Sequence, residues 1–84
     1  MSIKSLMRRS KNEPIHLISR RHNYFPKRFM WRGHQYDVYA VEQAWTEMKR
    51  KGAWHFFRVH CLEGTFDIYQ DLSLDAWYLA RQVN

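Results

Sequence analysis

Residues 24–36 read Tyr-Phe-Pro-Lys-Arg-Phe-Met-Trp-Arg-Gly-His-Gln-Tyr, a stretch in which cations and aromatic rings interleave. That mixture has the chemistry of single-stranded nucleic-acid binding. Cations follow the phosphate backbone while ring faces stack on bases, at ~1–3 kcal/mol per base. Arg20, Arg21, Lys27, Arg28 and Arg32 are the candidate phosphate contacts, and Tyr24 and Phe25 the candidate stacking rings. Residues 1–32 carry nine Lys/Arg against one acid, Glu13, a formal charge of +8. Residues 33–84 carry five bases against seven acids, a formal −2. A basic arm on a near-neutral body suits a polyanionic partner better than an enzyme's substrate. The plainer reading stays open: Phe29 and Trp31 are core, Tyr24 and Phe25 cover a sheet edge, and the cations form a solvated face.

A second surface gathers Trp54, Phe56 and Arg58 with Tyr69 and Tyr78. Two aromatic faces are more than a one-sided sheet needs. Either the sheet curls to cover both, or this face is exposed for a protein partner or a second copy of the chain. Arg58 against Tyr69 and His60 against Asp67 are the expected cross-strand pairs. Other chemistries find little support. His34, His55, His60 and Cys61 lack the paired spacing of zinc ligands, and His60 and Cys61, adjacent on a strand, point to opposite faces. No metal or cofactor is therefore expected. Cys61 reads as a small buried hydrophobe, and Asp71 and Asp75 as turn residues around Leu72-Ser73-Leu74. With no glycine-rich phosphate loop and no nucleophile elbow, the expectation is a non-catalytic module.

The elements that must position these groups are mostly strands. A chain of 84 residues makes one domain and buries only about 60% of its unfolded surface. Its high aromatic share, 17%, compensates, because each ring buries ~150–250 Å². Residues 1–13 read as a flexible basic arm and 14–84 as one small β-rich domain. A first strand is expected over 14–20. A hairpin over 27–41 turns at Gly33-His34, pairing Trp31 with Tyr36, Phe29 with Val38 and Lys27 with Ala40. Val41, Ala44, Trp45 and Met48 fall at helical spacing, which predicts a short helix near 41–50 ended by Gly52. A second hairpin pairs Cys61 with Phe66, Val59 with Ile68 and Phe57 with Gln70. A last strand over 76–83 sets Ile68 near Leu79 and Tyr69 near Tyr78. The expected fold is mainly β (α+β): five or six antiparallel strands in a curled sheet or small open barrel with one short helix. A single cysteine fits a reducing cytoplasm, and no apolar run is long enough for a membrane span.

Phe29-x-Trp31-Arg32-Gly33, Tyr36-x-Val38, Trp45, Trp54 and Phe57-Arg58-Val59 resemble a small bacterial domain family with no assigned biochemical function. Gly64-x-Phe66-x-Ile68-Tyr69-x-Asp71 followed by Trp77-x-Leu79 extends the likeness. Such domains stand alone, and a similar ending closes the Y-family-polymerase-like subunit of bacterial translesion mutasomes. The resemblance covers about residues 14–83 and implies a link to DNA-damage tolerance, but no catalytic residues. Relatives often end the last strand in acids, where this chain reads Arg81-Gln82-Val83-Asn84. The expected partner is thus nucleic acid, single-stranded by preference, or a protein of the DNA-repair machinery.

Overall fold

A computed structural model describes residues 12–83. Six strands follow one another: β1 (Glu13–Arg21), β2 (Phe25–Trp31), β3 (His34–Lys49), β4 (Gly52–Cys61), β5 (Gly64–Asp71) and β6 (Ala76–Gln82). Each pairs antiparallel with the next, and β6 returns to β1, closing a barrel in chain order. The expected antiparallel barrel is therefore present, and closed rather than open. The expected arm lies outside the described residues except at its end, where Glu13 opens β1.

The helix expected near 41–50 is instead the second half of β3. Val38 pairs with Cys61, Ala40 with His60, Val41 with Val59 and Gln43 with Arg58, so Tyr39 and Glu42 are each an extra residue at a β-bulge. Each bulge resets the two-residue alternation. Val38, Val41 and Ala44 consequently share the face of Cys61, Val59 and Phe57 at a spacing of three. Two bulges imitate the period of a helix. Trp45 lies on the other face, opposite Phe56.

Both hairpins are displaced by two residues from their expected registers. Arg32 (φ 52°) and Gly33 (φ 79°) are both left-handed, as a type I′ turn requires. The turn is therefore Arg32-Gly33, with Trp31 opposite His34 and Phe29 opposite Tyr36. The Phe29–Val38 and Lys27–Ala40 pairs do not form. The second turn is Leu62-Glu63, which sets Val59 opposite Phe66, Phe57 opposite Ile68 and Arg58 opposite Asp67. Arg58 does not pair with Tyr69, nor His60 with Asp67; their partners are Asp67 and Thr65. A two-residue slip leaves each side chain on its original face, so the assignment of inner and outer residues survives except at Ala40, which the Tyr39 bulge turns from the expected inner face to that of His60. In the last hairpin Ile68 meets Leu79 and Tyr69 meets Tyr78 as expected.

Inside the barrel Phe29, Phe57, Phe66, Ile68 and Val59 are fully buried, joined by Val38, Cys61, Trp77 and Leu79. Phe29 stacks on Tyr36 at 5.3 Å and Phe57 on Trp77 at 5.8 Å. Outside, a second aromatic layer covers β3–β6. Trp54 stacks on Tyr69 at 4.3 Å, Tyr69 on Tyr78 at 5.3 Å and Trp45 on Phe56 at 5.1 Å. Tyr69 is left only 2% exposed although it points away from the barrel interior. Its neighbours' rings act as its solvent shield. The Tyr69→Ala variant should therefore lose about 3 kcal/mol, as a core truncation does. Urea unfolding checks this, with a lower midpoint and an unchanged slope expected.

Candidate nucleic-acid interface

In a barrel of consecutive hairpins the turns alternate between its two ends. The β1–β2 turn (22–24), the β3–β4 turn (50–51) and the β5–β6 loop (72–75) share one end. Tyr24 packs edge-on against Phe57 and His55, and Leu72 N–H donates to Ala53 C=O, tying the three together. Arg20, Arg21 and Lys27 thus stand at the same end as Lys49, Arg50 and Lys51. The second group lay outside the sequence-level candidates, because its position depends on how the hairpins close into a ring.

The seven nucleic-acid candidates separate into two groups. Arg28 Nε donates to Asp37 Oδ1 at 2.7 Å. Arg32, at the opposite end, donates to both carboxylate oxygens of Glu13, at 3.0 and 2.7 Å. Trp31 Nε1 adds a third bond to Glu13, at 3.0 Å. Among the described residues Arg20, Arg21, Lys27, Arg50 and Lys51 make no ion pair, whereas Lys49 meets Glu47 and lies over the Trp54 ring. Of the two candidate rings, Phe25 packs against the core and Tyr24 is half exposed.

All five candidates for a protein partner, Trp54, Phe56, Arg58, Tyr69 and Tyr78, do meet on the outer face. Phe56 and Tyr69 are buried there by the other rings. Arg58 is bonded twice to Asp67, at 2.8 and 3.0 Å, and Arg81 reaches the same carboxylate at 2.9 Å. Asp67 is only 1% exposed. A buried carboxylate needs such a fork to offset its lost hydration.

Two recesses flank the β1–β2 hairpin. One, of about 590 Å³, lies along the β1–β6 seam between Ile18, Arg20, Asn23 and Asp75. The other, of about 270 Å³, lies between β2 and β3. Cys61 is buried in the core, and burial pushes its thiol up to about 12. His60 donates to Glu42 at 2.9 Å and lies 2.9 Å from the Thr65 hydroxyl. Among the described residues no cluster of His, Cys, Asp or Glu is arranged to hold a metal ion. No helix there is long and apolar enough to cross a membrane.

Fold and surface together define a small closed antiparallel barrel with a cationic turn end. The chain belongs to the family described as a domain of unknown function, DUF6504, whose model matches residues 5–83. No curated protein matches it, and no solved structure does.

The β5–β6 loop that borders the cationic end is held by Asp71. Its Oδ1 accepts from the Ser73 hydroxyl at 2.8 Å and from the N–H groups of Ser73 and Leu74 at 3.0 and 3.3 Å. The Ser73 hydroxyl, then these N–H groups and the Trp54 indole, hold the carboxyl below its usual range. A lowered folded-state pKa stabilises the protein above the ordinary aspartate value, about 3.9, and that contribution disappears as pH falls through the lowered value. Thermal melts between pH 7 and pH 2 should show an acid-side loss of stability that is smaller in Asp71→Asn.

Proposed function

We propose that this domain is a non-catalytic module that binds nucleic acid through its cationic turn end, with single strands preferred. The observation that carries the reading is the placement of Arg20, Arg21 and Lys27 at the same end of the barrel as Arg50 and Lys51, none of them ion-paired among the described residues. Three acids temper the charge there: Glu47, engaged by Lys49, Asp71, which holds the β5–β6 loop, and Asp75, which accepts from Gln70. Arg28 and Arg32 contribute less, since Asp37 and Glu13 already neutralise them. Recognition of this kind is mainly electrostatic, with little base readout.

The resemblance to the ending of the Y-family-polymerase-like mutasome subunit supports a setting in cytoplasmic DNA repair or translesion synthesis. A protein of that machinery is the second candidate partner, through the Trp54, Phe56, Arg58, Tyr69 and Tyr78 face. The burial of Phe56 and Tyr69 within their own cluster favours the nucleic-acid reading over this one.

Fluorescence anisotropy of a labelled single strand across a salt series tests the proposal. Each lost phosphate contact on a single strand removes about 0.7 from the slope of log affinity against log salt. Replacing Arg20, Arg21 and Lys27 together by Ala should make the slope shallower by roughly 2. Replacing Arg28 and Arg32 should change it much less. An unaltered slope in the triple variant would remove these residues from the interface.

A further inference from the structure

We infer that the recess between β2 and β3 seats one unstacked base of a single-stranded nucleic acid. This rests on the nucleic-acid reading above and names the site at which that reading gains its preference for single strands.

The recess exists because two strands part company. The β2–β3 ladder ends at the pair Arg28–Asp37. Beyond it Pro26 has no N–H to offer a neighbouring strand, and β3 swings toward β4 at the bulge that carries Tyr39. Phe25, Pro26, Val38 and Val41 are left lining an apolar slot of about 270 Å³. That is slightly smaller than the ~300–1,000 Å³ of pockets for drug-sized ligands, a size suited to a single flat heterocycle. Among the described residues no strand pairs with β3 on its β2 side from Val38 onward, which leaves backbone N–H and C=O groups along that edge for a base's polar rim.

Tyr39 stands at the mouth of the recess, 65% exposed. Its ring leans on His60, with 6.0 Å between centroids, which supports one side and leaves the ring largely accessible. An exposed tyrosine at a bulge contributes little to packing but offers a π-face. Arg21 and His22 border the same recess. Lys27 follows Pro26 on β2 and, with Arg21, is placed to meet the flanking phosphates. An apolar slot, a ring at its mouth and cations beside it together match a nucleotide's base and backbone. A base held within a duplex stack cannot enter, so this site distinguishes single from double strands.

The test uses labelled oligothymidylate and a duplex of equal length, each titrated with the full chain by anisotropy at several salt concentrations. Tyr39→Ala removes the ring. Ala40→Ile fills the slot without adding a charge or a π-face. Both positions are exposed, and a thermal melt confirms that the variants fold. Each should weaken single-strand binding roughly tenfold, leaving the salt slope and the duplex affinity unchanged. Tyr39→Phe should bind as the parent does. If the parent chain binds single strands and both variants match it, the base site is wrong while the electrostatic reading stands. If the parent chain binds neither oligonucleotide, both fall together.

Discussion

The ring of strands closes through three residue pairs: Glu13 with Leu79, Pro14 with Tyr78 and Ile15 with Trp77. Everything else in the molecule depends on that short seam, because an open sheet of this length would leave one face of Phe29, Phe57 and Phe66 in water. Glu13 reinforces the seam from the other side of β1. Its carboxylate gathers the Trp31 indole and the Arg32 guanidinium, and so holds the β2–β3 turn against the start of the chain's first strand. An exposed ion pair alone stabilises little. Here the bidentate geometry also steadies Arg32 in its left-handed conformation, which a residue with a Cβ adopts at a cost of about 1 kcal/mol.

Closure with so few residues explains the second aromatic layer. A six-stranded ring has a narrow interior, which side chains fill completely. The remaining rings must find cover elsewhere. Trp45, Trp54, Phe56, Tyr69 and Tyr78 do so by lying flat on one another across β3–β6, with Lys49 over Trp54 and Arg58 toward Trp45. Asp67 is a charged group buried within this layer, and two arginines reach it. Tyr69 is desolvated enough that its hydroxyl is pushed up to about 12 and stays neutral. The face that looked available for a partner is in large part used by the protein itself.

The same geometry separates structural cations from available ones. Those facing an acid across a ladder or a turn are paired: Arg28 with Asp37, Arg32 with Glu13, Arg58 and Arg81 with Asp67. Among the described residues, Arg20, Arg21 and Lys27 near the β1–β2 turn and Arg50 and Lys51 in the β3–β4 turn make no ion pair, whereas Lys49 meets Glu47. The β1–β2 hairpin is held to β6 by three pairs and to β3 by four, so recesses open on both of its flanks. Surface charge and surface shape therefore meet at the same hairpin.

Much of this was determined by the sequence alone. Alternation of apolar and polar residues in 27–31, 54–61 and 65–70 specified which side chains face inward, and a two-residue error in each turn did not disturb it, because side-chain direction repeats every two residues. Burial of Cys61 and the turn role of Asp71 were legible for the same local reasons. Tertiary structure decided the rest. Val41, Ala44, Trp45 and Met48 carry a spacing that helix and doubly bulged strand share, and only pairing with β4 selects the strand. The Tyr39 recess, the pairing of Arg32 with Glu13, and the placement of residues 20–27 at the same end as residues 49–51 arise between segments far apart in the chain. They depend on how the ring closes, and that is set by the packing of all six strands at once.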